Sequence, residues 1–167
     1  MKLLYFAYGS NLHPARLRAR VGPFEPLGRA RVAHYRLAFH KRGADGSGKC
    51  DIVPAPGREV HGALYLIDAG QRALLDRFEG VGRGYRGGWL EVHGREGRQR
   101  AYCYFAQPGH TDPRLRPYGW YKDFVLEGGR RHRLPHPYLR ALVRIPHLDD
   151  PDPAREARNR ALLAAPG

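Results

Sequence analysis

The stretch Leu3-Leu4-Tyr5-Phe6-Ala7-Tyr8-Gly9-Ser10-Asn11-Leu12 begins with an unbroken run of apolar and aromatic residues that stops at Gly-Ser-Asn. A short apolar run that closes on a turn signal predicts a strand covered on both faces. Pro14 suits the first turn of a helix, so we expect a helix over about residues 13–21. A strand, a glycine turn and a helix start together direct successive backbone N–H groups toward an anion.

The turn itself carries polar groups that suit a binding site. Gly9 lets the backbone turn sharply or approach a ligand closely, because it has no Cβ. Ser10 and Asn11 add a hydroxyl and an amide that can bind a polar group. The glycine spacing is neither that of a dinucleotide-binding loop nor that of a P-loop. Taken alone, this turn is more often a plain turn than a site.

Composition is that of a globular protein, with 167 residues, 42% hydrophobic and 27% charged. We expect one domain over residues 1–167, in which residues 146–167 form a C-terminal helical tail. No apolar run is long enough to predict a membrane span, and no secretory signal is expected. Cys50 and Cys103 form no Cys-x-x-Cys pair, which favours a cytoplasmic location.

The charge balance suggests anionic partners, because 29 Lys and Arg against 16 Asp and Glu give a net charge of +13. The arginines are scattered, however, and cluster tightly only over residues 16–20, 29–31 and 130–133. This distribution makes nucleic acid an unlikely partner. A homodimer is left open.

Strand patterns recur along the chain and end at turn signals. Alternation predicts a strand over 26–42, then a short strand over 51–53 that Pro54 and Pro56 stop, and a better one over 59–67. Two further strands, about 85–93 and 98–106, form a predicted hairpin. With a few peripheral helices, the pattern indicates an α+β fold around a partly closed mixed barrel.

Helix signals lie between and after these strands. Asp68 and Gln71 resemble a capping box for a helix over 72–78, with Gly80 as its left-handed terminator. Later helices are predicted over 119–127, ended by Gly128-Gly129, and over 137–143 and 153–164.

Glu79 is the residue whose placement suggests chemistry. It comes at the end of a helix, where the helix dipole disfavours a carboxylate, and we expect Phe78 and Val81 to desolvate it. Both effects would raise its pKa toward the range in which a proton carrier works at neutral pH. The alternative is an exposed Glu79 paired with Arg77 or Arg83.

The combination of these stretches resembles one known family. Tyr5-Phe6-Ala7-Tyr8-Gly9-Ser10-Asn11-Leu12, followed by Leu75-Asp76-Arg77-Phe78-Glu79-Gly80-Val81 and then Tyr85, is similar to the γ-glutamylcyclotransferase family. Tyr121-Lys122 and Leu134-Pro135 resemble its C-terminal part, so the match covers roughly residues 3–145. The resemblance implies a small mixed β-barrel flanked by helices. It also implies cleavage of a small-molecule γ-glutamyl amide with release of 5-oxoproline, without a metal or a cofactor.

In that reaction the substrate's own α-amine attacks its γ-carbonyl, so no enzyme nucleophile is needed, and ring closure gains from orientation. The resemblance implies that Glu79 is the general acid and base. It further implies that the turn holds the glutamyl moiety and stabilises the oxyanion, and that tyrosine hydroxyls line the pocket. The implied substrate-binding residues are Tyr8, Gly9, Ser10, Asn11, Tyr85, Tyr104 and Tyr121.

Two questions stay open at this point. The leaving group is undetermined among cysteinylglycine, a free amino acid and a lysine-type amine. The alternative to an enzyme is a non-catalytic binding module of the same fold, which recognises an anionic ligand or nucleic acid through its basic surface. Metal binding is disfavoured, because His132 and His136 flank Pro135 without a convincing third ligand.

Overall fold

Strand β1 (Lys2–Ala7) lies between two other strands, and its residues from Tyr5 onward are buried, as expected for a strand covered on both faces. The computed structural model describes residues 1–166, and Gly167, the end of the predicted tail, lies outside the described residues. The other strands are β2 (Glu25–Arg42), β3 (Gly48–Asp68), β4 (Tyr85–Gly94) and β5 (Gly97–Ala106). The helices are α1 (Pro14–Val21), α2 (Ala69–Glu79), α3 (Gly119–Arg131), α4 (His136–Val143) and α5 (Pro153–Ala164), with a short 3-10 helix at Ser10–Leu12.

The five strands close into a barrel in the order β1-β3-β2-β4-β5. Strand β1 is antiparallel to β3, from Lys2 opposite Asp68 to Ala7 opposite Ala63, and it is parallel to β5. The β2–β4 junction consists, within residues 1–166, of one residue pair, Arg31 with His93. One parallel pairing among antiparallel ones makes the barrel mixed, so the predicted α+β mixed barrel with flanking helices is confirmed.

Large apolar side chains from the strands fill the interior. Phe6, Val60, Tyr65 and Val92 are each fully buried. Removing such side chains from water supplies the main driving force for closing the sheet, at about 25 cal/mol per Å² of apolar surface. No helix in residues 1–166 has the length and apolar character that a membrane crossing requires.

The prediction of two separate strands before residue 68 is wrong, because β3 continues through Pro54 and Pro56. Both prolines are exposed, and the β2–β3 register shifts between Ala33 and Tyr35, opposite this region. His34, between them, has a φ of 64°. Proline is tolerated in a strand at such a bulge, since the ladder is already irregular there.

The predicted end of α3 at Gly128-Gly129 is also wrong, since the helix continues to Arg131 and buries both glycines. A Cβ on Gly128 would lie 2.6 Å from the carbonyl carbon of Leu12. This glycine therefore allows α3 to pack directly on the backbone of the turn that follows β1, and it does not end the helix.

Other local predictions are confirmed. The capping box of α2 forms between Asp68 and Gln71, and Gly80 takes the left-handed conformation at φ 64° and ψ 50°. As a result, α2 stops at Glu79, and the carboxylate lies at the end of the barrel where β1 leads into the Gly-Ser-Asn turn.

Candidate active site

The eight residues that the sequence predicts for the site all line one narrow cavity of about 30 Å³ at this end of the barrel. Ser10, Glu79, Tyr85 and Tyr121 also line a wider basin of about 600 Å³, so the cavity opens directly into it. Two residues not predicted from the sequence, Tyr5 and Cys50, complete the cavity. The predicted residues in its lining are Tyr8, Gly9, Ser10, Asn11, Glu79, Tyr85, Tyr104 and Tyr121.

The Glu79 carboxylate is held through one of its oxygens. Oε1 accepts hydrogen bonds from Nδ2 of Asn11 and Nη1 of Arg20, each at 2.8 Å. Oε2 accepts from no donor in residues 1–166, and the side chain is 16% exposed. One oxygen is therefore anchored by protein donors and the other is left for a ligand.

The surroundings of Glu79 differ from the sequence expectation. Phe78 and Val81, expected to desolvate it, are 56% and 39% exposed. Its ion-pair partner is Arg20 of α1, and neither Arg77 nor Arg83 pairs with it. The ion pair with this guanidinium therefore joins α1 to the end of α2.

The Asn11 amide connects the turn, the first strand and the carboxylate. Besides Glu79, its Nδ2 donates to the hydroxyl of Tyr5 at 2.9 Å, and its Oδ1 accepts from Nη1 of Arg20 at 2.8 Å. Its polar atoms are thus engaged with protein groups, and the side chain serves to position Glu79.

The backbone of the turn offers donors of its own. The N–H groups of Gly9, Ser10 and Asn11 donate to no acceptor in residues 1–166, whereas those of Leu12 and His13 donate back to the turn. Gly9 has a φ of −102°, so no left-handed conformation demands a glycine. A Cβ there would lie 3.0 Å from Cβ of Cys50, and the glycine therefore permits close approach to β3.

Three of the predicted tyrosines use their hydroxyl protons within the protein. Tyr8 donates to the carbonyl of Tyr104 at 2.6 Å, and Tyr85 donates to the carbonyl of Cys50 at 2.5 Å. Tyr104 donates to Oδ1 of Asp76 at 2.8 Å. These rings shape the cavity, and the expectation that Tyr85 and Tyr104 direct hydroxyl donors to the substrate does not fit their hydrogen bonds.

Two other tyrosines accept a hydrogen bond at the hydroxyl and donate to no acceptor within residues 1–166. Tyr121 accepts a hydrogen bond from the N–H of Cys50 at 2.9 Å, and Tyr5 accepts one from Asn11. Burial raises the pKa of both phenols well above its usual value, so both stay neutral donors. Tyr121 was predicted as a site residue and Tyr5 was not.

The basic cluster at residues 16–20 contributes to the site. Arg16 and Arg20 are one helical turn apart on α1 and both line the basin, where Nε of Arg16 donates to Oγ of Ser10 at 2.9 Å. Arg18 is exposed. The spacing of these two arginines is the signal that could have placed Arg20 in the site from sequence.

The described residues contain no group of three or more His, Cys, Asp and Glu side chains arranged to hold a metal ion. Nε2 of His132 instead lies 2.6 Å from the Tyr65 hydroxyl. Cys50 is a free, buried thiol whose pKa is raised by burial, which leaves it unreactive as a nucleophile.

The end of the mixed barrel thus brings together one anchored carboxylate, backbone N–H groups without acceptors in residues 1–166 and neutral phenols around one small cavity. The family described as gamma-glutamyl cyclotransferase, AIG2-like, matches residues 5–123. The chain belongs to this family.

Individual relatives agree with that assignment. The gamma-glutamylcyclotransferase of Bos taurus is 28% identical over 148 residues, which cover 85% of this chain and 78% of the relative. The Mus musculus protein of the same name is 29% identical with the same coverage. A solved structure titled gamma-glutamyl cyclotransferase superposes with a TM-score of 0.85 at 25% identity, covering 96% of this chain and 99% of its own.

Proposed function

We propose that this chain catalyses intramolecular cyclisation of a γ-glutamyl amide, which releases 5-oxoproline and an amine or amino acid. The substrate's α-nitrogen bonds to its γ-carbonyl carbon, and the amide C–N bond then breaks. Family membership supports the reaction type. The observation that carries the proposal is the Glu79 carboxylate, which lines the cavity and is anchored through Oε1, while Oε2 accepts from no donor in residues 1–166.

Glu79 is the proton carrier in this scheme. Its Oε2 takes a proton from the α-ammonium, which frees the lone pair for attack, and returns it to the leaving nitrogen. The second proton that the attacking nitrogen loses as the lactam forms goes to the released amine, which leaves as an ammonium, so no net proton is consumed. Arg20 and Asn11 fix the carboxylate while it does so. Such positioning matters because the reaction depends on folding the glutamyl chain into a near-attack geometry, which supplies up to about 7–11 kcal/mol in favourable cases.

The remaining cavity groups bind and polarise the substrate. The N–H groups of Gly9, Ser10 and Asn11 would stabilise the oxyanion that develops on the γ-carbonyl. Tyr121 and Tyr5 would donate their free hydroxyl protons to substrate oxygens. Tyr8, Tyr85 and Tyr104 would contact the glutamyl chain through their rings. We also place the reaction in the cytoplasm, which the free thiols of both cysteines support.

A substrate panel tests the proposal. Purified protein is incubated with γ-glutamyl amides that release cysteinylglycine, a free amino acid or a lysine-type amine, and 5-oxoproline is measured. Glu79→Gln should abolish release and leave the fold intact, because the amide is nearly isosteric but cannot carry the proton. Glu91→Gln, at an exposed residue of β4, is the matched control and should retain full activity.

Two outcomes would contradict the proposal. Full turnover by Glu79→Gln would show that another group carries the proton. The second outcome is that no amide of the panel yields 5-oxoproline and that a nucleic-acid column retains the protein in a salt-dependent way. That result would support the alternative of a non-catalytic binding module.

A further inference from the structure

The basin beside the cavity has a strongly uneven charge. It is lined by six Lys and Arg side chains and by only two carboxylates, those of Asp45 and Glu79. Under the proposed function the reacting γ-carbonyl enters the cavity of about 30 Å³, which is too small for the whole substrate, so the released amine must lie in the adjoining basin. The chemistry of this basin therefore bears on the leaving group.

Most of the basin cations already have partners within the protein. A cation that is neutralised by a neighbouring carboxylate has little left to offer a ligand. The partners are Glu79 for Arg20, Asp45 for Lys49, Asp112 for Arg42, and Ser10 with Asn159 for Arg16.

Lys41 is different, because it is buried and has no such partner. Its residue is 8% exposed, and its ammonium makes no salt bridge or hydrogen bond with any group in residues 1–166. Nζ lies 4.5 Å from the ring centroid of Tyr85, a contact that compensates part of the lost hydration. Arg83 is also without a side-chain partner among the described residues, but it is exposed.

The position of Lys41 is fixed by its surroundings. A Cβ on Gly84 would lie 2.8 Å from both Cε and Nζ of Lys41, so the side chain runs directly over that glycine. Burial lowers the pKa of Lys41, and the negative charges of Glu79 and Asp45 oppose this effect. The side chain is buried, but its ammonium keeps contact with the basin and has no counter-ion there, so a carboxylate that enters the basin would supply one.

Building on the proposed function, we infer that Lys41 is a specificity-determining residue that binds a side-chain carboxylate of the leaving group. The preferred substrate class is then a γ-glutamyl compound whose released amine is a dicarboxylic amino acid. Lys41 and Arg83 are the two basin cations that make no side-chain hydrogen bond or salt bridge among the described residues, and they match the two carboxylates of such a leaving group.

The test compares two substrates of nearly equal shape, γ-glutamyl-glutamate and γ-glutamyl-glutamine. Wild-type protein should show a kcat/KM about ten-fold or more higher for the acidic compound, as for a hydrogen bond to a charged group. Lys41→Met should reduce this ratio to near one by slowing the acidic substrate, with the neutral one changed less than about two-fold. Lys41→Arg should retain the preference.

Arg36→Met is the matched control, because Arg36 lies on the same strand, is exposed and lines neither the cavity nor the basin. It should leave both rates unchanged. Equal wild-type rates on the two compounds would overturn the inference. So would an equal loss of both rates in Lys41→Met, which would mean that Lys41 acts through Glu79.

Calorimetric binding separates this inference from the proposed reaction. Glu79→Gln protein should bind γ-glutamyl-glutamate about ten-fold more tightly than γ-glutamyl-glutamine, whether or not turnover is seen. If this preference is seen but wild-type protein releases no 5-oxoproline, the proposed reaction is contradicted and the proposed carboxylate-binding site at Lys41 is supported. Equal affinities for the two compounds would contradict the proposed carboxylate-binding site.

Discussion

Asn11 and Glu79 are joined by a 2.8 Å hydrogen bond from Nδ2 to Oε1, across 68 positions of the chain. Arg20 donates to both residues, so the three side chains form one closed network. The network ties the turn after β1 to the end of α2.

Replacing the amide of Asn11 by a carboxylate should disable this network. In Asn11→Asp, the donor to Glu79 is lost and a second negative charge lies against the first, which moves the carboxylate from its position. We expect kcat to fall about 100-fold, the cost of a small misplacement in a near-attack geometry. Rates of 5-oxoproline release measure this. Asn159→Asp, on α5, is the control, and a similar loss there would implicate general charge effects.

Removal of the Arg20 guanidinium should also slow turnover, but by a smaller factor than Asn11→Asp does. Arg20→Met leaves Glu79 with the Asn11 bond alone, and we expect kcat/KM to fall about 10- to 100-fold. Arg18 lies on the same helix with its side chain exposed, so the control variant Arg18→Met should keep the wild-type kcat/KM. If the two variants are equally active, the ion pair has no part in catalysis.

The tyrosine hydroxyls separate into binding and structural roles. Tyr121→Phe removes a free donor, so kcat/KM should fall about ten-fold; it also leaves the buried N–H of Cys50 without its acceptor and should lower the free energy of unfolding by about 1–3 kcal/mol. Tyr104→Phe breaks the bond to Asp76, so it should lower the free energy of unfolding by about 1 kcal/mol and change kcat/KM less than Tyr121→Phe does. Urea titrations and steady-state kinetics on both variants test the division, and a larger loss of kcat/KM in Tyr104→Phe would contradict it.

His13 should make the fold sensitive to acid. Its ring nitrogens are buried without hydrogen-bond partners, and burial, with the charges of Arg131, Arg16 and His132, lowers its pKa from 6.5 to about 4. The unfolded chain therefore binds the proton first, and stability falls as pH drops from about 6.5 to about 4. The contribution of this one group is about 2–3 kcal/mol.

His13→Leu isolates that contribution. The free energy of unfolding from urea titration should decrease less between pH 7 and pH 4.5 in the variant than in wild type, by about 2 kcal/mol. Parallel curves for the two proteins would show that His13 is not the group responsible.

The paired glycines of α3 should respond differently to alanine. Gly128→Ala forces a Cβ against the backbone of Leu12 and His13 and should cost about 1–3 kcal/mol of stability. In Gly129→Ala the nearest atoms are movable side-chain ends of Leu139 and Leu134, so the change should be smaller and offset by helix propensity. Thermal unfolding of both variants measures the difference, and equal shifts would contradict the packing argument.

The elements set by local chemistry were predictable from sequence. The apolar run before Gly9, the capping box at Asp68 and the left-handed Gly80 each depend on neighbouring residues, and together they place Glu79 correctly. The strand through Pro54 was missed because its tolerance for proline comes from a bulge involving β2, a distant segment.

Sequence reasoning named residues that line one cavity, but it did not predict the hydrogen bonds among them. The partner of Glu79 comes from α1, and which tyrosine hydroxyls remain free depends on acceptors such as Asp76 and the Cys50 carbonyl. Such pairings join residues far apart in the chain, so local patterns carry no information about them. The place of Lys41 over Gly84 and beside the Tyr85 ring likewise depends on a segment distant in the chain.

The contact of Gly128 with Leu12 has a consequence for the energetics of turnover. Helix α3 supports from behind the turn whose N–H groups line the cavity, so this turn acquires its conformation when the protein folds. The entropy cost of ordering this turn is therefore part of the free energy of folding, and substrate binding does not incur that cost again.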